Sequence, residues 1–333
     1  MRFALIVVMV CVALSAAPVR AHEFDPGYLS LTEIAPDRFD VQWKVSISGG
    51  LYEVLVPRLP GLCELDPELR TYVVLDAQIQ TTELVCPGGL AGLTLAIGGL
   101  SSTQTDALVR IEYLDGSSSL SRLTPTNATL VVPEQPSTWG LVWTYFVLGI
   151  EHILIGIDHL LFVLALLLLI SGVRRLVLTV TAFTIAHSIT LAATTLGWMS
   201  VPGAPVEATI ALSILFLATQ LARSDGSPNE STDDLTARFP WIVAFSFGLL
   251  HGFGFAGVLA EIGLPEGAIP LALLFFNFGV EVGQLLFIAA VLLAGLVVRR
   301  IAVPVPEWWP RVLAYGIGSV AAFWVIDRST WLI

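Results

Sequence analysis

Charge is scarce in this chain. Only 13% of its 333 residues are charged, against 55% hydrophobic, where a soluble domain carries about 25% charged. The deficit falls after Trp139, so an ordinary soluble protein is excluded for that part and the chain divides into two unlike halves. Basic residues are outnumbered 16 to 27, giving a net charge of −11, which argues against a nucleic-acid partner. Between His22 and Pro136 there are fifteen acidic and six basic residues. Such a surface either raises the local cation concentration near a membrane mouth or is simply a solvated acidic face. Catalytic strings are missing too. There is no His-Glu-x-x-His, no Gly-x-Ser-x-Gly and no phosphate-binding loop. The Gly252-x-Gly254-x-x-Gly257 string is no dinucleotide site, because it lies in an apolar segment with no strand before it.

Cysteine is nearly absent, with three in all. Residues 1–21 read as a secretory signal peptide: Arg2, an apolar stretch from Ala4 to Leu14, and Val19-Arg20-Ala21 as cleavage site. An uncleaved anchor is the alternative, although the apolar stretch is short for a span. Cys11 leaves with the signal. Cys63 and Cys86 are then expected to pair as a structural disulfide in an exported domain. His22 would become the N-terminus, where amine and imidazole could chelate a metal, or the terminus is simply untethered.

Residues 22–137 have an apolar period of two, clearest at Phe39, Val41, Trp43, Val45 and Ile47. Further short runs occur at 71–75, 82–85, 93–97, 108–114 and 129–132. Gly49-Gly50, Pro87-Gly88-Gly89, Gly98-Gly99 and Asp115-Gly116 separate them as turns. The expectation is a small all-β, antiparallel sandwich-like domain with no catalytic constellation.

Residues 138–333 are expected to form an all-α polytopic membrane bundle of about six transmembrane helices: 145–171, 176–198, 206–222, 240–260, 269–297 and 311–327. Arg174, Arg175, Arg223, Arg238, Arg299, Arg300 and Arg311 all fall in the loops after spans one, three and five. With an exported N-terminal domain, the positive-inside rule puts those loops in the cytoplasm. Arg328 is the exception. The expected location is a bacterial inner membrane, with the N-terminal domain in the periplasm and the C-terminus outside. The linker 223–239 would be cytoplasmic, its stretch from Ser224 to Ala237 polar and mobile. Trp139, Trp143, Trp308 and Trp309 are placed as interfacial anchors.

Four of the five histidines lie inside these apolar segments. A central Asp costs roughly 2.5–3.5 kcal/mol on insertion scales, so ionisable groups at such depth mark an ion or substrate pathway. Imidazole and carboxylate are also the ligands of divalent transition metals. The candidate metal ligands are His152, Asp158, His159, His187, His251 and Glu281. Glu151, Ser188, Asn277 and Gln284 are candidate supporting groups. On an unbroken helix His152 and His159 share a face about 10 Å apart. Either they serve successive stations, or Gly156 lets the helix open. Gly248 and Gly252 allow a neighbouring helix to approach closely. Gly149-x-x-His152 and Gly248-x-x-His251 form a faint internal echo, as do His187 and Glu281, of the kind inverted-repeat transporters show.

At His152-x5-Asp158-His159, Phe183–Ser188 and Leu250–Gly257 the chain resembles the HupE/UreJ family of membrane proteins, in its longer branch with an exported domain. The resemblance covers roughly 140–300. It implies nickel or cobalt uptake, associated in the short branch with hydrogenase and urease maturation. His152, Asp158 and His159 match the first family motif, and His251 with Gly252 the second. Where the short branch has another His four residues after His251, this chain has Phe255, leaving His187 or Glu281 to stand in.

Three functions remain open at this point. One is a secondary permease for a divalent metal of the nickel or cobalt class, with binding that weakens below about pH 6 because the imidazoles must be neutral. The second is an intramembrane zinc-dependent hydrolase using Ser188, Asp158 and the histidines. The third is a non-transporting assembly factor for a metalloenzyme, its exported domain binding a periplasmic protein.

Overall fold

The computed structural model describes residues 26–47, 50–74, 77–134, 138–199, 201–223, 235–261, 269–300 and 308–329. The expected signal peptide, His22, and linker residues 224–234 lie outside them. The chain separates into two compact units, one built mainly on strands and one on the helices within Phe146–Glu261 and Leu273–Ile333.

The β-unit contains ten strands: β1 (Gly27–Ala35), β2 (Arg38–Ser46), β3 (Val56–Arg58), β4 (Glu64–Leu65), β5 (Arg70–Val74), β6 (Ala77–Val85), β7 (Thr94–Gly98), β8 (Ala107–Glu112), β9 (Ser118–Leu123) and β10 (Thr129–Val131). They form a seven-stranded sheet in the order β4-β6-β2-β1-β8-β9, with β5 also on β6, and a three-stranded sheet β10-β7-β3. The expectation of an antiparallel fold needs one correction. β1 and β8 run parallel, Leu29 beside Val109 and Leu31 beside Ile111. No period-two pattern reports strand direction, so this was not readable locally. The alternation in β2 does what it implies: Phe39, Val41, Trp43 and Val45 are all buried, in a core with Leu29, Leu31, Leu84 and Ile111. Cys63 and Cys86 are joined by a disulfide across 23 residues of sequence. Gly88, Gly89, Gly99 and Gly116 turn the chain with positive φ, the conformation for which glycine carries no steric penalty.

Seven longer helices follow: α1 (Thr138–Ile155), α2 (Ile157–Leu169), α3 (Val173–Thr195), α4 (Gly203–Arg223), α5 (Pro240–Glu261), α6 (Ile269–Arg300) and α7 (Trp309–Asp327). Among the described residues four helices are long and apolar enough to cross a membrane, or five if α1 and α2 count as one bent span. The expected fourth span, α5, is apolar over the shorter stretch Pro240–Gly254. The expected first span is not continuous: α1 and α2 meet at 72° around Gly156.

The helices bury most of their polar side chains and expose many large apolar ones. On α3, Thr179, Thr184, His187 and Thr190 are buried while Leu178, Ile185 and Ile189 are exposed. On α6, Asn277 and Gln284 are buried, whereas Leu274, Phe278, Leu293 and Leu296 are exposed. A water-soluble helix would show the reverse. Exposed apolar surface of this extent fits lipid as the solvent. Hydroxyls on α3 satisfy themselves on their own helix, Thr179 on the Arg175 carbonyl at 2.9 Å and Ser188 on that of Thr184 at 2.7 Å.

Small residues set the helix contacts. A Cβ on Gly248 would overlap the Phe183 carbonyl, and one on Gly252 would overlap the His187 carbonyl and the Thr190 hydroxyl. The close α3–α5 approach therefore requires hydrogen at both positions. Gly149 makes the matching contact between α1 and α6, against the Phe276 carbonyl, and Gly279 reciprocates against that of Phe146.

Candidate functional site

The break at Gly156 creates the site. Its φ of −69° is open to any residue, so glycine is needed here for space. An added Cβ would lie 2.7 Å from the His152 carbonyl, 2.7 Å from His159 Nδ1 and 3.2 Å from Asp158 Oδ1. The Gly156 amide donates the last bond of α1 to the His152 carbonyl, and its carbonyl accepts from the Leu160 amide to start α2, both at 3.1 Å. One residue thus closes one helix and opens the next at a steep angle. The two imidazoles, about 10 Å apart on a straight helix, come to 4.5 Å between ring centroids.

From that pair the histidines form a chain. His152 lies 6.2 Å from His187 of α3, and His159 lies 5.5 Å from His251 of α5. Four imidazoles from four helical segments therefore share one chamber. Aromatic rings wall it: Phe162 and Phe183 lie 5.1 and 5.0 Å from His251, and Phe276 lies 5.6 Å from His152. His159, His187 and His251 are almost fully buried. Among the described residues neither nitrogen of His187 has a hydrogen-bond partner, nor does Nδ1 of His251. Buried polar nitrogens without partners are rare in proteins and call for an explanation such as an ion or water.

Two polar side chains lie against the rings. Asp158 Oδ1 accepts from the His159 amide at 2.9 Å and lies 3.0 Å from His159 Nδ1. Ser213 of α4 was not among the residues expected from sequence. Its hydroxyl donates to the Ile210 carbonyl at 2.7 Å and lies 3.0 Å from His251 Nε2. A hydroxyl carries one hydrogen; when Ser213 spends it on the Ile210 carbonyl, the imidazole Nε2–H donates to Ser213. The lone pair of a neutral His251 is then on Nδ1, the nitrogen with no protein partner. Nothing in the sequence marked Ser213, because a serine in an apolar helix is an ordinary residue until its neighbour is known.

The remaining candidates lie around this chamber. Glu281 of α6 accepts from the Thr181 hydroxyl at 2.6 Å, and Gln284 from that of Thr184 at 2.9 Å. Thr184 and Thr181 precede His187 by three and six residues on α3, about 4.5 and 9 Å along the axis. Glu281 therefore lies well away from the imidazoles along α3, about 9 Å from the level of His187. Asn277 donates to the Leu273 carbonyl at 2.8 Å. Ser188 is turned onto its own backbone and orients no imidazole. Glu151 is half-buried beside His152 in sequence. Among the described residues no three His, Cys, Asp or Glu side chains stand ready to hold a metal ion. The imidazoles adjoin one another, but at centroid spacings of 4.5–6.2 Å.

Apolar-coated helices around a buried histidine cluster mark a membrane protein. The model for the family described as HupE / UreJ protein matches residues 127–328, and the chain belongs to that family. The family is linked to nickel or cobalt uptake or to urease and hydrogenase maturation. The chain is also 45% identical over 60 residues to adenosylcobinamide-GDP ribazoletransferases from two strains of Pseudomonas aeruginosa, PAO1 and UCBPP-PA14. Each match spans 18% of this chain and 24% of the transferase.

Proposed function

We propose that this protein is a secondary permease for a divalent transition-metal ion of the nickel or cobalt class. It would reside in a bacterial inner membrane with the β-unit on the periplasmic side. The observation that carries the reading is the cluster: four imidazoles from separate helical segments, with Ser213 in contact with His251 and Asp158 beside His159. The ion exchanges its water for imidazole nitrogen at His152 and His159, contacts His187 and His251, and leaves past the carboxylate of Glu281. A site that passes an ion must bind it loosely enough to release it. Adjacent imidazoles that, among the described residues, form no ready three-ligand set fit transit better than permanent residence.

The driving force need not be ATP. An inside-negative potential supplies about 2.3 kcal/mol per charge per 100 mV, roughly 4.6 for a dication, equivalent to a concentration ratio on the order of 10³. The hydrolase reading loses support at Ser188, whose proton is committed to the Thr184 carbonyl. Elemental analysis of the purified protein after equilibration with nickel, cobalt and zinc salts tests the reading. Nickel or cobalt bound at up to one equivalent and removed by dialysis supports it. Zinc that survives dialysis at one equivalent overturns it in favour of a fixed metal centre.

A further inference from the structure

Arg328 follows the last residue of α7 and is the arginine that broke the loop pattern. Its side chain is only 10% exposed. Nη1 lies 4.0 Å from Asp158 Oδ2 on α2, and Nε lies 3.7 Å from Glu207 Oε2 on α4. Nη1 also donates to the Glu207 backbone carbonyl at 3.3 Å, and the guanidinium rests over the Trp324 ring at 5.3 Å. One side chain thus ties the end of α7 to two other helices. Asp158 is divided between two partners. Its Oδ1 faces His159 of the chamber, and its Oδ2 faces Arg328.

We infer that Arg328 is the resident cation of the chamber, neutralising Asp158 and Glu207 while no ion is present and giving up Asp158 when a dication enters. The inference rests on the permease reading above. A guanidinium and a dication cannot both occupy one carboxylate in a poorly screened setting without strong repulsion. The arginine therefore sets how tightly an ion is held, and it returns to Asp158 as the ion leaves. Glu207 keeps the guanidinium tethered in the interval. Without such a competitor the carboxylate and imidazoles would retain the ion. An arginine in this role raises the rate of passage by lowering affinity.

The role separates from a structural ion pair by sign. In the full-length protein in lipid nanodiscs, Arg328→Gln is expected to bind Ni²⁺ or Co²⁺ on the order of tenfold more tightly, while uptake into vesicles falls. Glu207→Gln leaves Asp158 to carry the guanidinium alone and is expected to bind the same ions more weakly. Arg328→Lys keeps the charge and is expected to stay within about threefold of the parent. A purely structural pair would shift affinity in the same direction in both glutamine variants, and that result overturns the inference. Equal affinity in all four proteins overturns it as well, while leaving the permease reading standing. A parent protein that binds neither ion overturns the permease reading and this inference with it.

Discussion

His251 shows how much one hydrogen can decide. A Ser213 hydroxyl that donates to the Ile210 carbonyl accepts from His251 Nε2–H, and the neutral ring then presents Nδ1 to the other imidazoles. Groups that orient a metal-binding histidine are worth about 10- to 100-fold in affinity. Ser213→Ala should therefore weaken equilibrium Ni²⁺ binding by about that factor, and Ser213→Thr should restore most of it. Unchanged affinity in the alanine variant would remove Ser213 from the site. A second residue-scale prediction concerns the β-unit. The Ser117 hydroxyl and amide hydrogen bonds hold the Asp115 carboxyl below the usual carboxylate range. A group lowered in the folded state stabilises it above its unfolded value, about pH 4, and the contribution is lost as pH falls through the folded value. Asp115→Ala should melt below the parent protein at pH 7, and the difference should shrink as pH falls below about 4. The histidines were visible in the sequence as polar residues in apolar segments. Ser213 and Arg328 were not visible as partners, because each acquires its role through a side chain far away in the chain.

At the level of elements, the bend between α1 and α2 brings the first two imidazoles together. Replacing Gly156 by Ala places a methyl against His159 Nδ1 and the His152 carbonyl. Overpacking of this kind typically costs 1–3 kcal/mol, and here the strain falls on two proposed ligands. Gly156→Ala should reduce ion affinity at least tenfold while lowering thermal stability only modestly. Full affinity would show that the bend tolerates a side chain and does not set the imidazole positions. The sequence left two alternatives at Gly156, successive stations or an opened helix, since spacing alone does not choose between a straight and a broken segment. Gly248 and Gly252 were more readable. Their four-residue spacing implied a close helix neighbour, and α3 occupies that position. Strand direction was the least readable feature. The alternation in β2 located its buried face, but only pairing over 80 residues of sequence makes β1 and β8 parallel.

At the scale of the whole molecule, two helix pairs are built alike. Gly149 seats α1 on the Phe276 carbonyl of α6, with His152 beside the Phe276 ring. Gly248 seats α5 on the Phe183 carbonyl of α3, with His251 beside the Phe183 ring. The echo in sequence between Gly149-x-x-His152 and Gly248-x-x-His251 thus has a spatial counterpart, the arrangement expected of internal repeats that rock about a central site. It also amends the sequence pairing of His187 with Glu281. Gly149 contacts Phe276 and Val280, where Gly248 contacts Phe183 and Ala186, so the residue matching His187 four positions on is Val280. Glu281 lies one residue further along α6.

The central claim is that the four-imidazole chamber is the path of a transported ion. Its most direct measurement is potential-driven accumulation of Ni²⁺ or Co²⁺ in vesicles containing the protein, compared with His152→Ala, His159→Ala, His187→Ala and His251→Ala. The account predicts accumulation by the parent protein and at least a tenfold loss of initial rate in each variant. Accumulation at the parent rate in all four variants would contradict it.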